Sequence, residues 1–209
     1  MKALIIDDHD YTSEGISRIL ADNFEMTKIA RAKDYEEAVK LLDGIKWDFI
    51  TLDINLPGKS GLELLKLIRR KDKQVPILVL SMVPVSQYGK RIIQAGATGY
   101  ITKAEPAEEL LKAVRMVMHG LRYFSAAVQQ EIPDLVESNT EKPKHHSLSD
   151  REFEVLREIA MGKTLKEIAI NFNLSVNTIN SYRRRVLQKL NASCDLDLVK
   201  YAYKYRIVE

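Results

Sequence analysis

Phe49-Ile50-Thr51-Leu52-Asp53 is a short, nearly unbroken apolar run that ends on an acid and leads into Ile54-Asn55-Leu56-Pro57-Gly58-Lys59-Ser60-Gly61. Such a run fits a parallel strand covered on both faces, because a half-exposed strand alternates apolar with polar residues. Working outward, residues 3–6, 26–30, 77–80 and 99–102 read as further strands, giving five with residues 49–52. Helical stripes lie between them. Asp34-Tyr35-Glu36-Glu37 opens one helix that buries Ala38, Val39, Leu41 and Leu42; Leu62, Leu65 and Ile68 mark a second; Leu110, Leu111, Val114 and Val117 mark a third. Pro106 with Glu108 and Glu109 suits the start of that third helix, where a missing N–H costs nothing and acids meet the positive end of the dipole. Alternating strands and helices predict a parallel sheet with right-handed crossovers. Binding sites in such sheets form beyond the carboxyl ends of the strands.

The residues at those ends carry chemistry. Asp7 and Asp8 follow the first strand and Asp53 the third, so neighbouring strands would bring three carboxylates to one edge. Anions that close repel each other unless a cation joins them or their pKa values shift. Oxygen ligands suit Mg2+, which binds through one or two carboxylates together with phosphate oxygens. Ser81 ends the fourth strand with a hydroxyl, and Lys103 ends the fifth with an ammonium. Acids, a metal, a hydroxyl and a lysine together describe a site for phosphoryl transfer, in which positioning and charge neutralisation do most of the catalysis. Taken singly, each is unremarkable: a capping acid, a loop serine, a solvated lysine. Their recurrence at successive strand ends is what points to function. His9, beside the acids, reads as an exposed loop residue without a catalytic role.

After Tyr123 the alternation stops. Residues 125–147 contain Pro133, Pro143, several acids and His145-His146, and read as a linker with a short helix around residues 126–131. From Leu148 the pattern is helical throughout. Ser149-Asp150-Arg151-Glu152 has capping-box spacing ahead of a helix burying Phe153, Val155, Leu156, Ile159 and Ala160. Thr164 caps a second helix with Ile168 and Ala169. Ser175 caps a third, over residues 176–190, held by Ile179, Val186, Leu187 and Leu190. Two short helices joined by a tight turn, the second one basic, match a helix-turn-helix. The third helix is about 22 Å long at 1.5 Å per residue, enough to lie across a major groove. Its other face carries Asn177, Asn180, Ser181, Arg184 and Gln188, and amides and arginines read base edges. Arg183-Arg184-Arg185 alone would be a solvated face, as most charge runs are.

Composition agrees. Apolar residues at 45% and charged ones at 29% fit an ordinary globular protein and exclude a disordered chain. The net charge of +3 divides into +2 over residues 1–125, −2 over 126–146 and +3 over 147–209, which leaves a modest basic footprint at the end. The nearly apolar stretch at residues 75–85 is too short to span a bilayer, and the start lacks signal-peptide features. Cys194 is the lone cysteine, without an internal disulfide partner or metal-ligand spacing. A cytoplasmic protein without membrane partners is expected.

Asp7-Asp8-His9, Asp53-Ile54-Asn55-Leu56-Pro57-Gly58-Lys59-Ser60-Gly61, Ser81 and Gly99-Tyr100-Ile101-Thr102-Lys103 together resemble the receiver domain of response regulators, over residues 2–120. The resemblance implies an α/β, flavodoxin-like, five-stranded parallel (βα)5 receiver at residues 1–124. It implies that Asp53 accepts phosphate from a sensor histidine kinase. Asp8, Asp53 and the Asn55 carbonyl would ligate Mg2+ directly, and Asp7 through a water. Ser81 and Lys103 would contact the phosphoryl group, with Ser81 and Tyr100 as switch residues. Ala104 stands where proline is common, which touches only local loop geometry.

The segment 148–209 is similar to the LuxR-type helix-turn-helix of the NarL/FixJ family. The match runs through Leu148-Ser149, Arg151-Glu152, Glu154-Val155-Leu156, Ile159-Ala160, Gly162-Lys163, Lys166-Glu167-Ile168-Ala169, Leu174-Ser175, Thr178-Ile179 and Lys189-Leu190. By that similarity an all-α domain binds double-stranded DNA. Asn180, Ser181 and Arg184 would meet bases, and Lys166, Thr178, Arg183, Arg185 and Lys189 would meet backbone phosphates. Asn180 and Tyr182 replace the family's usual lysine and histidine, so no operator sequence transfers. A last helix over residues 196–204, with Leu198, Val199 and Ala202, would supply a DNA-bound dimer interface, and a homodimer is expected on phosphorylation or on DNA.

Two other classes compete. A metal-dependent phosphatase would normally carry its nucleophile in Asp-x-Asp, whereas Ile54-Asn55 follows Asp53. A receiver-like interaction module would need no phosphate, and the complete acid set argues against it.

Overall fold

The computed structural model describes residues 1–57, 59–82, 85–124, 143–205 and 207–208, with backbone alone at 85–88 and 90. The chain divides into two compact units, Met1–Ile132 and Pro133–Glu209. The helix expected around residues 126–131, and most of the linker with it, lies outside the described residues.

In the first unit, strands and helices alternate: β1 (Lys2–Ile6), α1 (Asp10–Asn23), β2 (Lys28–Ala32), α2 (Tyr35–Leu42), β3 (Phe49–Asp53), α3 (Gly61–Lys71), β4 (Ile77–Ser81), α4 (Val85–Gln94), β5 (Gly99–Thr102), α5 (Ala107–Met118) and β6 (Tyr123–Phe124). They build one parallel sheet in the order β2-β1-β3-β4-β5-β6. Every residue of β3 and β4 is buried, as an apolar run covered on both faces requires. One face packs Ala3, Ile5, Phe49, Leu78, Leu80 and Ile101 against Ile16 and Leu20 of α1 and Ala113, Val114 and Val117 of α5. The alternate residues Leu4, Ile6, Ile50, Leu52 and Val79 are also fully buried or nearly so. Each such aliphatic side chain contributes about 1.5–3 kcal/mol on leaving water.

Three expectations change. The sheet has six strands rather than five: Tyr123-Phe124 adds at the edge, pairing Gly99 with Tyr123 and Tyr100 with Phe124. Two residues are too few to show a period. The pairing also relies on Gly99, where a Cβ would stand 2.9 Å from the Tyr123 carbonyl oxygen. The second strand starts at Lys28 rather than residue 26, because the backbone N–H groups of Thr27 and Lys28 both donate to the Met1 carbonyl. Of the four residues expected to be buried on α2, only Ala38 is fully so.

The second unit is helical: a 3-10 turn (Lys144–Ser147), α6 (Asp150–Ala160), α7 (Leu165–Asn171), α8 (Val176–Leu190) and α9 (Asp195–Lys204). Ser149 and Glu152 form the capping box, as do Thr164 and Glu167, and Ser175 accepts from the Thr178 N–H. Phe153, Val155, Leu156, Ile159, Ala160, Ile168, Ala169, Ile179, Val186 and Leu190 make the core. Leu198 and Ala202 of α9 belong to it too, each 0% exposed. That corrects the face assigned to the last helix: its outward apolar residues are Leu196 and Tyr203.

Gly61 opens α3 directly beneath the end of β3. A Cβ there would lie 2.3 Å from the Asp53 carbonyl oxygen and 2.6 Å from the Ile54 Cα, both rigid backbone. Gly61→Ala is therefore expected to destabilise the first unit by about 1–3 kcal/mol, as overpacking does. A lowered urea midpoint checks this; an unchanged midpoint would mean that the loop yields freely.

Candidate functional site

The strand order reverses between β1 and β3: α1 carries the chain from β1 to one side, and α3 carries it from β3 to the other. Such a switch point opens a crevice at the carboxyl ends. Register pairs Ile6 with Leu52, so the next residues, Asp7 and Asp53, stand abreast. Ser81 pairs with Thr102 at the ends of β4 and β5, and the Lys103 N–H donates to the Ser81 carbonyl at 2.9 Å. All the acids expected at this edge are thus brought together, with Ser81 and Lys103 beside them.

Lys103 lies between two of the carboxylates. Its Nζ is 2.6 Å from Asp53 Oδ2 and 2.7 Å from Asp7 Oδ2, and the three side chains are 7%, 2% and 2% exposed. It donates a hydrogen bond to Asp53, and its charge also faces Asp7 Oδ2. The Asn55 N–H donates to Asp53 Oδ1 at 2.9 Å, and the Asn55 side chain is exposed. Ser60 caps α3 through the Leu62 N–H and fixes the returning loop. Ser81 is 1% exposed, and Tyr100, on β5, is fully buried.

Burial raises the Asp53 carboxyl above its ordinary pKa, against the charge and hydrogen bond of Lys103 and the Asn55 N–H, while Asp7 adds like-charge repulsion. Burial acts to lower Lys103, but Asp53 and Asp7 together hold its pKa above the ordinary value, so it keeps its proton. Three carboxyl groups and one ammonium thus share the pocket. A dication fits this chemistry: buried carboxylates on Asp7 and Asp53, an exposed carboxylate on Asp8, and oxygen donors from both strands.

His9 is exposed, as expected, yet its ring faces the acids. Its Nδ1 lies 2.8 Å from Asp8 Oδ1, 3.1 Å from Asp7 Oδ1 and 4.0 Å from Asp53 Oδ2. Adjacency to an acid pair at a strand end was the only available signal, and adjacency does not show where an imidazole turns.

In the second unit, Ser181, Arg184 and Arg185 are exposed on α8 and Lys166 is exposed on α7; Thr178 and Asn180 are half-buried. The Thr178 hydroxyl pairs with that of Ser175, the Ser181 hydroxyl donates to the Asn177 carbonyl, and the Arg185 guanidinium lies over the Tyr182 ring. Two expected phosphate contacts are engaged within the unit. Arg183 Nε donates to Asp195 Oδ1 at 2.6 Å, tying α8 to α9. Lys189 Nζ donates to Glu152 Oε2 at 2.6 Å and to the Ser147 carbonyl, tying α8 to the start of α6. Burial would raise the Glu152 carboxyl, yet the hydrogen bonds from Lys189 and the Ser149 N–H bring it below its ordinary range.

Comparison with known proteins agrees with both halves. Residues 3–115 match the family described as the response regulator receiver domain, and residues 146–202 match the luxR family of bacterial regulatory proteins. The chain is similar to the response regulator GacA of Pseudomonas aeruginosa, with 32% identity over all of this chain and 98% of that one. It is similar to the response regulator UvrY of Escherichia coli K12, with 33% identity over 98% of this chain and 94% of that one. Among solved structures it resembles RcsB of Salmonella enterica serovar Typhimurium bound to the rprA promoter with the phosphomimetic BeF3−. That match has a TM-score of 0.64 and 26% identity over 97% of this chain and 98% of the other. It also resembles RcsB in a structure of two dimers on two parallel DNAs, with a TM-score of 0.60, 26% identity and the same coverage.

Three outcomes follow from the geometry. Lys103→Met, measured by urea unfolding with chelator present, is expected to lose about 3 kcal/mol, because removing one partner strands buried charge; equal stability would mean that the acids are already neutral. Lys189→Ala is expected to lower the stability of the second unit by about 1 kcal/mol, discounted because Lys189 is partly exposed. Arg184→Ala should leave stability unchanged and reduce DNA affinity in a mobility-shift assay. Equal stabilities for the two variants would remove the structural role given to Lys189.

Proposed function

The chain belongs to the NarL/FixJ-type response regulators, which join a receiver domain to a LuxR-type helix-turn-helix, and on that premise we propose that phosphate on Asp53 controls its binding to DNA. It is a transcriptional regulator and not a turnover enzyme. The observation that carries the residue assignment is the side-by-side placement of Asp7 and Asp53 at the switch point, with Lys103 against both.

Asp53 is the acceptor. Its carboxylate oxygen attacks the phosphorus of a phosphohistidine on a sensor kinase; the P–N bond breaks as the P–O bond forms, and the imidazole leaves with the electron pair. Asp7, Asp8, Asp53 and the Asn55 carbonyl would hold Mg2+. Bound there, the ion offsets the charge of the acids and of the phosphoryl oxygens. Lys103 already faces Asp53 and contributes a second positive charge to the new group. Ser81, at the neighbouring strand end, supplies a hydroxyl donor to a phosphoryl oxygen. A displacement of Ser81 reaches Tyr100 through the β4–β5 pairing and biases a two-state receiver. We assign residues 1–124 to the receiver, 125–147 to the linker and 148–209 to the DNA reader.

On the DNA side, Asn180, Ser181 and Arg184 are assigned to base edges, and Thr178, Arg185 and Lys166 to phosphates. Arg183 and Lys189 reach a phosphate only by sharing or leaving their carboxylate partners. Phosphorylation favours a homodimer, which presents two recognition helices to two half-sites. RcsB is seen as dimers on DNA, which supports the same reading for this chain. No helix among the described residues is long and apolar enough to cross a membrane, and the protein is assigned to the cytoplasm.

Incubation with acetyl phosphate and Mg2+, read on a phosphate-affinity gel, is expected to retard the wild-type band and not that of Asp53→Asn. The same treatment should tighten operator binding by about tenfold or more, equivalent to about 1.4 kcal/mol. Identical bands for the two proteins would refute Asp53 as acceptor. A retarded band with unchanged DNA affinity would refute the gating.

A further inference from the structure

We propose that His9 is a nitrogen donor of the cation site, so that the site holds first-row transition dications such as Co2+ and Ni2+ through His9, while Mg2+ binds without it. The inference rests on the metal site assigned above and names a ligand and a metal preference that the receiver resemblance does not supply.

His9 is the N-cap of α1 but makes no capping hydrogen bond with its side chain, so the helix does not account for where the ring points. Its backbone N–H donates to Asp7 Oδ1 at 2.9 Å, which holds the residue against the acid pair. From there Nδ1 faces Asp7 and Asp8 and lies 4.0 Å from Asp53 Oδ2. One donor atom from each of Asp7, Asp8, His9 and Asp53 lies within 4.8 Å of every other. Around a six-coordinate dication with bonds of about 2.1 Å, neighbouring donors stand about 3 Å apart and opposite ones about 4.2 Å apart. The four atoms therefore match one coordination sphere after small side-chain movements. Asp7 is 3% exposed; its Oδ2 faces the Lys103 ammonium at 2.7 Å and its Oδ1 is turned to the His9 ring.

The chemistry of the ring then decides between metals. Mg2+ is a hard ion that takes oxygen and keeps its waters, and an imidazole offers it little. Co2+, Ni2+ and Zn2+ bind imidazole well, and their affinities rise along the first row where nitrogen is available. With carboxylates alone the site would rank metals weakly. With His9 it becomes a mixed nitrogen and oxygen site in which one exposed side chain sets the preference.

Calorimetric titration of the full chain with Co2+, Ni2+ and Mg2+ tests this, comparing wild type with His9→Gln and His9→Ala. Binding is assigned to this site only where Asp8→Asn abolishes it, which removes background from His119, His145 and His146. Loss of the nitrogen donor is expected to weaken Co2+ and Ni2+ by about tenfold or more and Mg2+ by less than about twofold. NMR of the Co2+-loaded protein should show paramagnetically shifted imidazole protons that are missing from His9→Gln and that excess Mg2+ removes. If all three metals bind equally to wild type and both variants, His9 is not a ligand, although the acidic metal site stands. An equal loss for Mg2+ would overturn the selectivity. If wild type has no Asp8-dependent binding of any of the three, this proposal and the metal site fail together.

Discussion

One buried ammonium against two buried carboxylates is the constraint around which the first unit is arranged. Asp7 and Asp53 have to be abreast at the switch point of the sheet, because their strands pair directly and end together. Left alone they would repel at close range in a medium that screens poorly. Lys103, arriving from the far end of β5, makes the juxtaposition tolerable in the absence of phosphate and metal. Even with that ammonium beside it, burial keeps Asp53 above its ordinary pKa. On the proposed function, the same lysine would turn its charge to a phosphoryl group on Asp53 without leaving its position.

The second unit uses charge differently. Its basic helix is not a row of equivalent cations. Arg183 and Lys189 fasten α8 to α9 and to the capping box of α6, while Arg184 stands on the exposed face. A recognition helix must be held rigidly to place its reading side chains within hydrogen-bonding reach of base edges. Spending two of its positive charges on internal pairs serves that purpose.

Much of this was legible in the sequence, for particular reasons. β3 and β4 announced themselves because burial on both faces leaves a continuous apolar run. β2 lies at the sheet edge with mixed burial, so nothing in its composition marked the start at Lys28. α1 was hard to see because Ser13 and Ser17 occupy half of its buried face. β6 is too short to have a pattern. The acids and Lys103 were readable as a set because each closes a strand, and capping boxes betrayed the helix starts of the second unit. What stayed hidden were pairings over long separations, Lys189 with Glu152 and Arg183 with Asp195, and the turn of the His9 ring. The inward face of α9 was equally ambiguous, since Leu196, Leu198 and Val199 all read as apolar.

The most direct test of the central claim is chemical location of the phosphoryl group. After treatment with acetyl phosphate and Mg2+, borohydride reduction converts an acyl phosphate on aspartate to homoserine, and peptide mass spectrometry finds the position. Homoserine at residue 53, with no conversion at Asp7 or Asp8, is the expected result. Conversion at another acid, or none in the peptide that contains Asp53, would contradict it.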